Sequence, residues 1–119
     1  CKVYEKKAIR KYFFTGATAS LRGGSGFSAF ASAKFALRAL SQSIARELGP
    51  QGIHVAHFII DGAIDTAFIK ENFPEAYALK EKDGILSPEK IADSYWFVHS
   101  QHRSAWTHEL DLRPYMETF

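Results

Sequence analysis

Phe30 and Lys34 stand four residues apart in the run Phe30-Ala31-Ser32-Ala33-Lys34, so on a helix the ring and the ammonium project from one face. A tyrosine at position 30 would make this pair a proton-transfer core; a phenyl ring has no proton to give. Other reactive side chains offer less. Ser20, Ser25 and Ser28 flank Phe30, but no His–acid pair is spaced to activate them, and they read as loop and cap residues. His54 and His57 are three apart in an apolar run, so a strand turns them to opposite sides and they do not share a metal. His99 and His102 could share a helix face with His108 nearby, yet tetrahedral zinc needs further converging ligands. No metal site is expected.

The elements that must carry these residues alternate between strand and helix. Tyr12-Phe13-Phe14-Thr15 is a short aromatic run ending at Gly16, which predicts a buried strand. A loop with Gly23, Gly24 and Gly26 follows. The pattern then predicts one long helix over 27–48, capped by Ser25 or Ser28 and stopped by Gly49-Pro50. In that helix Phe30, Ala33, Leu37, Leu40, Ile44 and Leu48 form one apolar stripe, while Ala31, Phe35 and Ala39 load a neighbouring face. A surface helix needs a single stripe, so the surplus predicts one face on a sheet and another against a second helix, from a partner subunit. Residues 53–60 are nearly continuous apolar, as in a parallel strand covered on both sides. Strand, helix and strand make a βαβ unit, expected with a right-handed crossover. After the turn at Asp61-Gly62, residues 64–86 are mixed polar and aromatic around Pro74, predicting a short helix in a mobile loop. Ser87-Pro88 opens another helix that turns Ile91, Tyr95 and Val98 inward. Trp106 to Leu112 supplies a last strand, ended by Pro114.

Composition narrows the function classes. At 119 residues, 46% hydrophobic and 24% charged, the chain fits a single ordinary globular domain over 1–119. A net charge of +2 is too weak to imply nucleic acid, and the basic run Lys6-Lys7-Ala8-Ile9-Arg10-Lys11 reads as a solvated flank. Residues 1–11 are expected to be an N-terminal helix or a linker. Cys1 is the only cysteine, which excludes an internal disulfide and makes a reducing cytoplasm the expected compartment. No apolar run approaches the roughly 18 residues of a membrane span, so no membrane partner is expected. The N-terminus has no signal-peptide layout and no initiating Met, which reads as an excerpt of something longer.

The loop Thr15-Gly16-Ala17-Thr18-Ala19-Ser20 lies between strand and helix, where a dinucleotide phosphate loop would lie. Its spacing argues against one: an acidic residue about 20 positions on should end the next strand, and here that strand ends only at Asp61. A flexible crossover loop is the better reading. The order strand, Thr-Gly-Ala, Gly-rich loop, aromatic-x-x-x-Lys, Ala-rich helix, Gly-Pro-x-Gly-Ile-x-Val and strand resembles the C-terminal half of the short-chain dehydrogenase/reductase family, from about Phe13 to Pro114. The resemblance implies an α/β, partial Rossmann-like fold, a doubly wound parallel sheet of about three parallel strands with covering helices. It also implies NAD or NADP as cofactor and a carbonyl or alcohol as small-molecule substrate.

In that family a Tyr exchanges the proton at the substrate oxygen, a Lys four residues later lowers its pKa and holds the nicotinamide ribose, and a Ser orients the substrate. Carried over, these positions are Phe30, Lys34 and Ala17. The family's Pro-Gly turn with a Thr four residues later becomes Asp61-Gly62 and Thr66. By resemblance Gly62, the Ile64 backbone and the Thr66 hydroxyl would border the nicotinamide carboxamide, and residues 67–86 would be the substrate-lid loop. The helix at 27–48 would pair with its symmetry mate in a homo-oligomer. The family's phosphate-binding half is not found before Tyr12. Losing a positioned general acid typically costs about 10²–10⁴ in rate, so little or no activity is expected of this chain alone. Two readings stand: an NAD(P)-dependent oxidoreductase fragment with a divergent catalytic set, or a non-catalytic oligomerisation or binding module built on the same fold.

Overall fold

The computed structural model describes residues 11–119; the helix or linker expected over 1–11 and the basic run fall almost wholly outside them. The chain is α/β, with three parallel strands, β1 (Lys11–Ala17), β2 (His54–Ile60) and β3 (Glu109–Leu112), in the order β1-β2-β3. A long helix, α1 (Ser28–Leu48), joins β1 to β2. Two short helices, α2 (Ala67–Asn72) and α3 (Pro74–Tyr77), precede α4 (Pro88–His99), which leads to β3.

The central strand organises everything else. All seven β2 residues are buried, and β2 pairs from Lys11↔His54 to Ala17↔Ile60 on one side and from His57↔Glu109 to Ile60↔Leu112 on the other. Its alternate residues serve two layers. Ala56, Phe58 and Ile60 form a core with Leu86 and Val98, with Phe13, Ile91 and Tyr95 packed around it. The Phe58 and Tyr95 rings stack at 3.7 Å between centroids, and Phe13 meets Phe58 edge-on at 5.3 Å. α4 therefore covers this face through Ile91, Tyr95 and Val98, as expected. His57 points to the opposite side, toward α1.

That second side is tied by polar groups. Arg38 of α1 donates two hydrogen bonds to Glu109 of β3, at 3.0 and 2.9 Å, and His57 Nδ1 lies 3.1 Å from the same carboxylate. One salt-bridged carboxylate thus joins a helix and two strands. His54, facing the α4 side, stacks on Trp106 at 4.6 Å and meets the Thr107 carbonyl at 2.7 Å. The two histidines diverge as their spacing required.

Several boundaries move. β1 runs on through Gly16 to Ala17, held by pairing to Ile59 and Ile60. Neither Ser25 nor Ser28 caps α1; Phe27 occupies the cap position without a side-chain bond. Gly49-Pro50 ends the α-helix but continues as a 3-10 turn over Gly49–Gln51, and the chain reverses at Gly52. Strand structure starts at Glu109, not at Trp106, because Trp106 is occupied in stacking on His54. Residues 67–86 are mostly helical, with a 3-10 turn at Ala78–Lys82 after α3, and an Ile64↔Leu86 bridge closes the excursion.

The two apolar faces of α1 left open which of them turns inward. Ala31 and Ser41 are its buried residues, whereas Phe30, Leu40 and Phe35 are 49%, 49% and 41% exposed. Small side chains let the helix backbone approach the sheet, so the large ones turn outward.

A buried histidine and a partly exposed carboxyl give acid sensitivity. Burial holds His54 below its usual range, against the opposing Thr107 carbonyl. Burial would raise Glu109, but the Arg38 and His57 hydrogen bonds outweigh it and hold the carboxyl below the usual range. Both folded-state values are depressed, so both contributions are present above the unfolded values and lost as pH falls. Urea midpoints should be level above about pH 7, decline below about 6.5 as His54 titrates, and decline again below about 4.3 as Glu109 does. A midpoint that rises on acidification would refute this assignment.

Candidate functional site

The carboxyl ends of parallel strands are where open α/β sheets bind ligands. Here the ends of β1 and β2 border a cavity of about 530 Å³ walled by Ala17, Thr18, Arg22, Phe27, Phe30 and Gly62. Ala17 closes β1, Thr18 begins a 3-10 turn over Thr18–Ser20, Arg22 and Phe27 come from the glycine-rich loop, and Phe30 sits in the first turn of α1. The volume suits a small organic molecule. Most of the wall is apolar.

Three expected site positions, Ala17, Phe30 and Gly62, meet at this cavity. Lys34 lies beside it in chain order, its Nζ 5.7 Å from the Phe30 ring centroid and donating to the Thr15 carbonyl at 3.2 Å. Ile64 and Thr66 are placed elsewhere. Ile64 bridges to Leu86 and lines a second cavity of about 680 Å³ with Phe13, Thr15, Ile91 and Tyr95. Thr66 caps α2, its hydroxyl accepting from Ile69 N–H at 3.2 Å. Residues 67–86 contribute to neither cavity.

In the second cavity, the Tyr95 and Thr15 hydroxyls are 2.5 Å apart. Burial raises the Tyr95 phenol above its usual range, partly offset by that hydrogen bond. This phenol belongs to the aromatic core under α4 and lies on the Ile64 side of the sheet end, away from Phe30.

Two glycines set the shape of the sheet end. A β-carbon on Gly16 would sit 2.4 Å from His57 Nε2 and 2.5 Å from Ser20 Oγ, so only glycine lets the β1 end close over His57. Ser20, fully buried, in turn accepts from Ala17 N–H at 3.0 Å and fixes the turn at the cavity. Gly62 has φ +146°, and a β-carbon there would lie 2.9 Å from Pro114. A side chain at either position would displace the cavity wall.

The polar group at this site was not singled out by spacing. Asp61 follows β2 and is fully buried. Its Oδ1 accepts from the Thr18 hydroxyl at 2.6 Å and from Arg22 Nη2 at 3.3 Å. Arg113 Nε lies 3.9 Å from Oδ2, and Arg113 also pairs with Asp111. A carboxylate closing an unbroken apolar strand was the available signal, since a buried charge requires partners. The partners, at positions 18, 22 and 113, have no periodic relation to it.

The remaining histidines disperse. His99 takes a contact from Lys11 at 3.1 Å, His102 accepts from Ser104 N–H, and His108 lies 3.0 Å from the Val55 carbonyl. Among the described residues no cluster of His, Cys, Asp or Glu is gathered for a metal ion. No helix among them is long and apolar enough to cross a membrane.

Comparison with known proteins agrees with the fold. The sequence model of the enoyl-(acyl carrier protein) reductase family matches residues 7–109. A short-chain dehydrogenase from Rhodopseudomonas palustris is similar over 96% of this chain and 42% of its own, with 47% identity and a TM-score of 0.66. An alcohol dehydrogenase from Thermococcus sibiricus complexed with 5-hydroxy-NADP superposes with a TM-score of 0.69 at 22% identity, covering 91% of this chain and 43% of its own. An NADPH-bound short-chain oxidoreductase from Pseudomonas aeruginosa PAO1, described as containing an atypical catalytic center, gives 0.74 at 15% identity, covering 96% and 49%. The last two show the fold alone. The chain spans less than half the length of each of these proteins. No curated protein matches it.

Proposed function

The chain belongs to the short-chain dehydrogenase/reductase family, and from that premise we propose that it forms the substrate end of an NAD(P)-dependent oxidoreductase with a divergent catalytic set. The observation that carries this reading is the convergence of Ala17, Phe30 and Gly62 on one cavity at the carboxyl ends of β1 and β2. Phe30 and Ala17 take the Tyr and Ser positions of the family's layout. With a phenyl ring and a methyl group there, these two positions supply neither the proton nor the hydroxyl of the usual chemistry.

The donor groups suit the nicotinamide end of a dinucleotide. Lys34 spends one of three N–H donors on Thr15, leaving others for ribose hydroxyls. Thr66 uses its oxygen as an acceptor from Ile69, leaving its hydrogen for a carboxamide carbonyl. Gly62 borders the cavity, whereas Ile64 and Thr66 lie outside it, so a nicotinamide held by all three would extend past Gly62 beyond the cavity. The cofactor would supply hydride transfer; this chain's part is to bind and orient around the cavity.

A second reading rests on the exposed apolar residues in α1 and at its cap. Phe27, Phe30, Phe35 and Leu40 are each 41% exposed or more, a surface suited to a second copy, as in a homo-oligomerisation or binding module.

One experiment separates the two. Titrating the protein with NADH and NADPH should enhance nicotinamide fluorescence, and Lys34→Met should weaken binding about tenfold, the loss of a charged hydrogen bond. No enhancement at millimolar cofactor, with a sedimentation mass twice the 13.4 kDa chain, would replace the first reading by the second.

A further inference from the structure

The cavity walls offer a ligand two polar groups from side chains, and their directions of hydrogen bonding are fixed. Thr18 has a single hydroxyl hydrogen, donated to Asp61 Oδ1 at 2.6 Å. Its oxygen therefore faces outward only as an acceptor. Arg22 has five N–H donors and gives one, from Nη2, to the same Oδ1. Its side chain is 42% exposed while Asp61 is 1% exposed, so the carboxylate is a buried anchor and the guanidinium keeps free donors at the cavity wall.

We propose that Arg22, held by Asp61, is the group that binds the substrate oxygen in this cavity, and that the ligand presents to it an acceptor oxygen on an apolar body. This assignment rests on reading the cavity as the substrate end. Arg22 and Arg113 are paired with Asp61 and Asp111, so Arg22 meets a ligand oxygen as a hydrogen-bond donor whose charge is already balanced. The apolar body follows from Ala17, Phe27 and Phe30 on the walls. A carbonyl oxygen there accepts from Arg22, and no donor remains at positions 17 or 30 to compete. Thr18, able only to accept at its outer side, disfavours a bare carbonyl at its own position and directs it toward Arg22.

The test uses three probes without cofactor, read by NMR titration: acetophenone, 1-phenylethanol and ethylbenzene. Acetophenone should bind about tenfold more tightly than ethylbenzene, the range for a hydrogen bond to a charged donor. Arg22→Met should bring acetophenone to the level of ethylbenzene and leave ethylbenzene unchanged. Asp61→Asn, which frees the guanidinium from its anchor, should remove part of the preference. Should the Arg22 variant not fold, the Arg22 Nε–H resonance of the unmodified protein answers instead, moving with acetophenone and not with ethylbenzene. Equal binding of the two probes, a preference that survives Arg22→Met, or tighter binding of 1-phenylethanol than of acetophenone would overturn the assignment. Because no nicotinamide is present, a negative result here leaves the cofactor reading standing, and a failed cofactor titration leaves this result standing.

Discussion

Phe58→Ala is expected to lower unfolding free energy by about 3–5 kcal/mol, the cost of truncating a fully enclosed aromatic. Phe58 has no exposed surface. It stacks on Tyr95, meets Phe13 edge-on and belongs to the buried cluster with Ala56, Ile60, Leu86 and Val98. β2 is held by pairing on both sides, so its backbone cannot move in to fill the space. Against a total stability of about 5–15 kcal/mol for a typical domain, the loss would leave a protein at the edge of folding. Urea denaturation would measure it, with Phe97→Ala as the control, since Phe97 is 66% exposed. Equal losses for the two variants would refute the layer assignment of β2 and α4.

The second large effect concerns chemistry. In a longer protein that joins this chain to a dinucleotide phosphate-binding region, Phe30→Tyr with Ala17→Ser should raise the rate of carbonyl reduction. A positioned general acid contributes about 10²–10⁴, and a hydroxyl aimed at developing charge about 10²–10³. Groups that act as a unit do not add, so the pair should exceed either single change by less than the product. Phe30 is half exposed at the cavity, so the added hydroxyl meets no buried apolar wall. The assay is NAD(P)H consumption with a panel of carbonyl and alcohol substrates, beside the unaltered protein. A restored pair that stayed inert would remove the main support for a divergent oxidoreductase.

The legible parts of this protein are those decided by local pattern. The apolar run at 53–60 announced a strand covered on both faces, and β2 is that strand, because continuous burial leaves no alternation to read any other way. Pro88 fixed the start of α4, whose inward residues Ile91, Tyr95 and Val98 followed from helical spacing. The inward face of α1 did not follow. With apolar residues on most of its circumference, hydrophobicity could not choose between sides, and close approach to the sheet selected Ala31 and Ser41 over Phe30 and Leu40. The site divided in the same way. Ala17, Phe30 and Gly62 met because each is tied to a strand end or a first helical turn, whereas Ile64 and Thr66 were carried off by a bridge and a cap.

By itself, the sequence determined the order of strands and helices, the pairing of Phe30 with Lys34 on one helix face, and the family whose layout it follows. These rest on periods of 2 and 3.6 residues and on short motifs, which a linear chain displays directly. Only the tertiary structure decided that Asp61 is buried with Thr18, Arg22 and Arg113 about it, and that His57, Glu109 and Arg38 join two strands to α1. Those partners are 39 to 71 residues apart wherever α1 or the whole α/β unit intervenes. A buried charge must be paired, but sequence states only the requirement; the folded sheet supplies the partner.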